Sequence, residues 1–161
     1  MNSVSPSTPD RSKYILLSPR GAKALSVVAI GALYGWFFLK LLLVGEQPAL
    51  QLAVGVLALV GMVASIVMFL CTYSFVANAP DKYLDEREIG DRNAAYMRAY
   101  VYVVSMLLVA YIGSDLVGKV YGNLQVSSAM VTNFLNVAFF TCLIMPATVL
   151  AWRDRAEDEP S

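Results

Sequence analysis

Four long runs of apolar residues constrain this chain more than any other feature of its sequence. The first run, at 24–44, reads ALSVVAIGALYGWFFLKLLLV, and its polar residues are Ser26 and Lys40. About 20 residues of α-helix are needed to cross a hydrocarbon layer of about 30 Å. The sequence therefore predicts an all-α membrane protein, an antiparallel four-helix transmembrane bundle with spans at 24–44, 49–72, 99–116 and 130–152.

The composition agrees with a membrane domain that occupies most of the chain. Hydrophobic residues make up 58% of the 161 residues and charged residues 15%, whereas a soluble domain averages about 25% charged residues. We expect a disordered or juxtamembrane segment at 1–22, one membrane domain at 23–153 and a charged cytoplasmic tail at 154–161. A cleaved signal peptide is disfavoured, because the polar lead is long and no cleavage site follows the first run.

The distribution of basic residues predicts how the bundle is oriented. The segments 1–23, 73–98 and 153–161 contain ten of the twelve Lys and Arg residues, and the opposite side contains only Lys40 and Lys119. Cytoplasmic segments of membrane proteins are enriched in Lys and Arg. We therefore expect a multi-pass protein of the plasma (inner) membrane with both termini in the cytoplasm.

Several classes of chemistry are disfavoured by the residues that the chain lacks. It contains no histidine, which removes imidazole ligands for haem or zinc and the Ser-His-Asp mechanism. Its two cysteines, Cys71 and Cys142, are far apart, and Ser105 and Ser114 have no base in a recognisable motif. We expect no enzymatic activity, no cofactor, no resident metal and no binding to nucleic acid.

The polar connection at 78–98 carries the most regular charge pattern in the sequence. Its acidic residues come first and its arginines last, which matches the dipole of a helix. Asn78 is a favourable N-cap residue, and Pro80 suits a first helical turn. These features predict a short cytoplasmic helix that starts at Asn78, between the second and third spans.

The same connection is the leading candidate for a protein-docking surface. The residues assigned to docking are Asp85, Glu86, Arg87 and Arg92. The simpler alternative is a solvated helix start with arginines that mark the membrane boundary. A metal site built from Asp81, Asp85 and Glu88 has helical spacing, but the nearby arginines disfavour it.

A short motif in this connection resembles a known pattern. Leu84-Asp85-Glu86-Arg87, followed by Arg92, Ala95 and Arg98, runs directly into the third span. It is similar to a D-E-R…R motif that precedes a membrane helix in uncharacterised small prokaryotic four-span inner-membrane proteins. The resemblance is confined to 84–98 and implies a prokaryotic inner-membrane location without implying an activity.

Polar residues near the opposite side form a second candidate site. The uncharged part of the third run has 16 residues, which is about 24 Å of helix, so we expect the helix to continue past Asp115. Lys40 and Asp115 are the candidate outer polar pair, and Lys119 lies one turn beyond Asp115. The simpler alternative is that these charges set the depth of their helices.

The fourth span contains two amides, and the first two spans contain small-residue motifs. Asn133 and Asn136 need hydrogen-bond partners in hydrocarbon, so we expect interhelical polar contacts from both. Gly31 and Gly35 form one small-xxx-small pattern, and Gly61 with Ser65 forms another. Whether such glycines pack within one protomer or between protomers is left open by the sequence.

Two functions remain in competition. The leading hypothesis is an accessory, regulatory or signalling membrane subunit that acts through its cytoplasmic connection 78–98. Its partners would be the lipid bilayer and either a membrane or cytoplasmic protein or a second copy of the chain. The alternative is a small oligomeric transporter or channel, although the apolar runs contain no carboxylate at their centres and the nearest one is Asp115.

Overall fold

The computed structural model describes residues 14–42, 48–121 and 127–154. These residues form five α-helices and a short 3₁₀ helix, and four of the α-helices are long and apolar enough to cross a membrane. The predicted all-α fold is confirmed. The helices are α1 (Pro19–Leu42), α2 (Pro48–Phe69), α3 (Thr72–Asn78), α4 (Glu86–Tyr121) and α5 (Ser128–Arg153).

The helices α1, α2 and α5 pack against one another and form the core of the bundle. Small side chains at their contacts allow the helix backbones to approach closely. The most buried cluster takes Ala22 and Ala29 from α1, Ala64 and Met68 from α2, and Ile144, Ala147 and Ala151 from α5.

Glycine residues bring α1 and α2 closest together. A Cβ atom added at Gly61 would lie 3.0 Å from the backbone nitrogen of Leu33, which is buried in α1. A Cβ atom at Gly35 would lie 3.3 Å from a side chain of α2, whereas one at Gly31 would meet nothing within 4 Å. Gly35 and Gly61 therefore pack within the protomer, and Gly31 faces outward.

The helix α4 lies at the edge of this core. It packs along α5 and α3. Its link to α1 is polar: the Tyr102 hydroxyl donates to the Tyr34 hydroxyl at 3.3 Å, and Tyr34 donates to the sulfur of Met106 at 2.9 Å. Only 6% of the residues in the apolar, membrane-crossing part of α4 are buried. Most of its apolar surface therefore faces outward, towards lipid or another protein.

The connection between α2 and α4 differs from the predicted one. The helix α2 ends at Phe69 rather than at residue 72, and a short helix follows at Thr72–Asn78. Asn78 is the last residue of that helix, so its predicted role as an N-cap is wrong. A 3₁₀ helix at Asp81–Tyr83 then leads to the start of α4.

Asp85, not Asn78, is the residue that caps the N-terminus of α4. Its carboxylate accepts a hydrogen bond from the backbone N–H of Glu88 at 2.6 Å. The Glu88 carboxylate accepts one in return from the backbone N–H of Asp85 at 3.2 Å. This reciprocal capping box satisfies two N–H groups that an uncapped helix end would leave without partners.

The helix α4 is much longer than the predicted span at 99–116. It has 36 residues, which is about 54 Å of helix, against a hydrocarbon layer of about 30 Å. The polar residues from Glu86 onward and the apolar span belong to one continuous helix, which is not interrupted at Gly90. The predicted extension past Asp115 is also confirmed, because α4 ends at Tyr121.

Candidate functional site

The helices meet at one end in a polar cluster, which we call the charged end. It consists of Lys23, Tyr73, Asp81, Asp91, Arg92, Arg153 and Asp154. The antiparallel helix order brings the start of α1, the end of α5 and the start of α4 to this place. Lys23 donates from its ammonium group to the carbonyl oxygen of Asp154 at 2.9 Å, and Arg153 pairs with Asp91 at 2.9 Å. Three chain segments that are distant in sequence are thereby joined.

Arg92 fixes the connection between α3 and α4 onto the start of α4. Its guanidinium donates to the carbonyl oxygen of Ala79 at 2.8 Å and forms an ion pair with Asp81. The Arg92 side chain is 14% exposed, whereas the Asp81 side chain is 71% exposed. Removing Asp81 would therefore leave the mostly buried guanidinium without its carboxylate, whereas Asp81 alone would be solvated by water. Arg92 therefore has a structural task at the charged end.

Tyr73 ties α3 to the end of α5. Its hydroxyl donates to the Asp154 carboxylate at 2.7 Å. Burial of the ring, together with this carboxylate, raises the pKa of Tyr73 above its usual range. A tyrosine is protonated at neutral pH in any case, and the raised pKa keeps this phenol the donor in the contact at higher pH as well.

An indole anchors the last turn of α5 to the first turns of α1. The Trp152 indole N–H donates to the Ser26 hydroxyl at 3.0 Å. Ser26 in turn donates to the carbonyl oxygen of Lys23 at 2.7 Å. Tryptophan is enriched at the level of membrane interfaces, where its ring is apolar and its N–H needs a partner. The position of Trp152 fits such a boundary.

The chain before α1 runs along the break between α2 and α3. Ile15 donates its backbone N–H to the carbonyl of Leu70 at 3.0 Å and accepts from the N–H of Thr72 at 3.2 Å. The ring of Tyr14 packs on Phe75, with 5.1 Å between centroids. These bonds satisfy backbone groups that the helix break would leave unpaired. The remainder of the predicted segment 1–22, at 1–13, lies outside the described residues.

The four predicted docking residues have different environments. Asp85 caps α4, and Arg92 is held by Asp81. Glu86 and Arg87 are exposed, and neither forms an ion pair with another described residue. Of the four side chains, Glu86 and Arg87 are therefore the two whose charges are exposed and have no ion-pair partner among the described residues.

The predicted polar pair at the opposite end is not formed. Asp115 pairs instead with Lys119 at 2.7 Å, one helical turn away on α4, as their spacing indicates. Lys40 is exposed near the end of α1 and makes no ion pair with Asp115. The carboxylate of Asp115 is thus compensated within its own helix.

The two amides of α5 lie in its first half, away from the charged end. Asn133 is half-buried, and Asn136 is exposed. The side chain of neither residue forms a hydrogen bond within the part of the chain that the structure describes. The interhelical contacts predicted for these amides are therefore not made among the described residues.

A cleft that the sequence does not reveal lies between α3, α4 and α5. Its volume is about 190 Å³, and its walls include Cys142 and Pro146 of α5. At its polar side the Tyr96 hydroxyl donates to the side-chain oxygen of Asn78 at 3.2 Å, and Asn78 donates to the carbonyl of Ser74 at 2.8 Å. Pro146 has no N–H, so the carbonyl one turn earlier, at Cys142, lacks its helical donor.

The carboxylates considered for a metal site have other partners. Asp81 pairs with Arg92, while Asp85 and Glu88 form the capping box. Within the described ranges, no three Asp, Glu, Cys or His side chains are grouped so that they could hold a metal ion. Asp81 therefore contributes to the ion pair that holds the connection before α4, and Asp85 and Glu88 contribute to the cap of that helix.

Comparison of the chain with protein-family models, with curated proteins and with solved structures finds no match. Its function is therefore inferred from its own residues. The features that bear on it are the fixed connection at 78–98, the exposed charges of that connection and the outward faces of α4 and α5.

Proposed function

We propose that this chain is a membrane subunit that acts by binding a protein partner through residues 78–98, which we call the platform. The observation that supports this most is that the platform is held in place and still exposes unpaired charges. Arg92, Tyr96 and the Asp85 capping box fix its backbone. A surface that is already ordered loses little conformational entropy when a partner binds.

The partner would lie along one exposed stripe of α4. The stripe consists of Glu86, Gly90, Asn93 and Met97, which recur at helical spacing and are all exposed. A Cβ atom at Gly90 would meet nothing within 4 Å, so the stripe is flat at its centre. Met97 is 64% exposed and supplies an apolar contact beside the charges. Protein interfaces combine such an apolar centre with a polar rim.

The platform faces the cytoplasm in this proposal. Ten of the twelve Lys and Arg residues lie in the segments that the helix order assigns to the charged end, and two lie in the segments assigned to the other end. Cytoplasmic segments carry this excess in membrane proteins. The location that fits is a prokaryotic inner membrane, with a soluble or membrane protein of that compartment as the partner.

The experiment is the capture of partners from native membranes with the full chain. Gly90→Trp places a large side chain at the centre of the stripe without meeting any atom of the chain near its Cβ. We expect this variant, and the double charge reversal of Glu86 and Arg87, to lose the captured partner. Gly55→Trp on α2 is the matched control, since Gly55 is equally free of neighbours.

All variants should insert to the same level, as measured by extraction from membranes. Loss of the partner with Gly90→Trp and retention with Gly55→Trp supports the proposal. If the same proteins are captured with wild type and with both platform variants, partner binding through residues 78–98 is refuted.

Transport is less well supported by the geometry. Among the described residues, the carboxylates of the four long helices lie in the first turns of α4 or near its far end. Asp115 is already paired with Lys119. A proton-coupled carrier needs an ionisable group within the membrane, where its protonation can change during the transport cycle.

A further inference from the structure

An asparagine on the outer half of α5 faces away from the rest of the bundle. Asn136 is exposed and lies eight positions after Ser128, the first residue of the helix, which is about 12 Å along the axis. The whole of α5 is about 39 Å long. If a hydrocarbon layer of about 30 Å is centred on the midpoint of α5, Asn136 falls within that layer. The amide is therefore placed where water is scarce.

An amide in hydrocarbon strongly requires hydrogen bonds, because no water replaces them. No described residue supplies one to Asn136. Exposed Ser and Thr side chains in a span can bond to a carbonyl of their own helix, as Thr132 does to the carbonyl of Ser128 at 3.0 Å. The carboxamide of Asn136 has two donors and an acceptor to satisfy, and no residue that the structure describes satisfies them, so it needs a further partner.

The surface around Asn136 is suited to packing against another helix. Thr132, Leu135 and Phe139 are exposed beside it, and Leu135 and Phe139 are 58% and 62% exposed. Their spacing is that of a seam between two helices. We call Thr132, Leu135, Asn136 and Phe139 the α5 seam.

The outward face of α2 provides a contrast within the same molecule. Its exposed residues at helical spacing are Leu52, Val56, Leu59 and Val63. All four are aliphatic, so contact with lipid tails leaves no polar group unsatisfied. The α2 face is therefore explained by the bilayer, whereas the α5 seam is not.

We propose that the chain forms a parallel homodimer in the membrane through the α5 seam, with Asn136 of each copy hydrogen-bonded to Asn136 of the other. A two-fold axis along the membrane normal places the same residue of both copies at the same depth. A carboxamide both donates and accepts, so two identical amides can exchange two hydrogen bonds. A single asparagine at a helix seam selects a parallel pair in a fixed register.

A second copy fits better than an unrelated protein, because it necessarily has an amide at the required depth. The α5 seam is separate from the platform, which consists of the connection that follows α3 and the first turns of α4. The dimer therefore does not depend on the proposed partner binding, and each can fail without the other. A Gly90→Trp chain is expected to lose its partner and keep its dimer.

The test is disulfide cross-linking of the full chain in native membranes. The background is Cys142→Ala, which removes the exposed cysteine of α5 and leaves Cys71 buried. Thr132→Cys then reports on the α5 seam. Leu52→Cys on α2 is the matched control, because Leu52 is exposed and, like Thr132, lies four positions after the first residue of its helix. We expect oxidation to give a covalent dimer with Thr132→Cys at a yield about tenfold above that of Leu52→Cys, the ratio that a tenfold difference in association constant produces at low occupancy.

The role of the amide is tested in the same background. Asn136→Leu should lower the cross-linking of Thr132→Cys about five- to thirtyfold, the range expected for one to two interhelical hydrogen bonds. Asn136→Gln retains the carboxamide and should retain most of the dimer. Leucine on an outward face is compatible with lipid, and equal membrane levels of the variants will show that insertion is intact.

Three results would overturn the proposal. One is equal cross-linking at the α5 seam and on α2, and another is cross-linking that Asn136→Leu leaves unchanged. The third is a Thr132→Cys adduct to a protein other than this chain, which would assign the seam to a different occupant.

Discussion

The contact between Gly61 and Leu33 should limit the stability of the bundle, and Gly61→Ala is the smallest change that tests it. The added methyl group would lie 3.0 Å from the backbone nitrogen of Leu33 and 3.0 Å from its Cγ atom. Heavy atoms prefer separations of about 3.5–4.0 Å. The leucine side chain can rotate, but the backbone nitrogen moves only with α1 itself.

Two opposing effects set the magnitude. Separating α1 from α2 by about 0.5 Å relieves the clash and forfeits about a quarter of the dispersion energy of each contact along the interface. Overpacking of this kind costs about 1–3 kcal/mol in protein cores. Replacing glycine by alanine within a helix contributes about 1 kcal/mol in the opposite direction. The net loss for Gly61→Ala is therefore expected to be about 0–2 kcal/mol.

Gly31→Ala separates these two effects. Gly31 is also in the interior of a membrane helix, but an added Cβ atom there meets nothing within 4 Å. The gain in helix propensity is the same at both positions and cancels in the comparison. Gly61→Ala should therefore be less stable than Gly31→Ala by about 1–3 kcal/mol.

The measurement is reversible unfolding of the full chain in mixed micelles with increasing mole fraction of a denaturing detergent, followed by helicity or by a steric trap. The free energies of unfolding of wild type, Gly61→Ala and Gly31→Ala are compared under the same conditions. If Gly61→Ala is as stable as Gly31→Ala, the α1–α2 contact is not as close as described and the reasoning is refuted.

Three further changes test other parts of the structure. Asp85→Ala removes the capping box and should lower stability by about 0.5–2 kcal/mol, with faster amide exchange in the first turn of α4; unchanged exchange there would contradict the cap. Trp152→Phe keeps the ring and loses the hydrogen bond to Ser26, which should cost about 0.5–1.5 kcal/mol in the unfolding assay. Proteoliposomes that contain wild type or Asp115→Asn should both show only the ion and cationic-drug fluxes of protein-free vesicles. A flux that wild type supports and Asp115→Asn abolishes would favour the transport hypothesis.

The number and order of the membrane helices can be read from the sequence because hydropathy decides them locally. A run of about 20 apolar residues has few stable alternatives to a spanning helix. The ends of the helices depend on finer chemistry. Asn78 and Asp85 are both good capping residues, and the sequence at 85–88 contains an acidic residue three positions after a possible cap. That spacing was the available signal for the start of α4, and the prediction at Asn78 overlooked it.

The contacts of the charged end could not be predicted in the same way. Arg92 reaches Asp81 across the turn between α3 and α4, and Arg153 reaches Asp91 on a different helix. Such pairs depend on the path of the connection and on which helices are neighbours. The glycines show the same limit, because Gly31 and Gly61 are alike in local sequence context, and only the rotation of each helix decides which one meets a backbone.

The structure divides the chain into a closely packed part and a more accessible one. The helices α1, α2 and α5 meet through alanine and glycine, so their contacts leave little room for substitution. The helix α4 is joined to α1 by the Tyr34–Tyr102 hydrogen bond and to the end of α5 by the Asp91–Arg153 pair, and most of its apolar face is exposed. In a bilayer, the exposed apolar residues of α4 face lipid or another protein, while its backbone stays hydrogen-bonded within the helix. Because the platform is continuous with α4, a protein bound to it in the proposed function would contact the span that the bundle buries least.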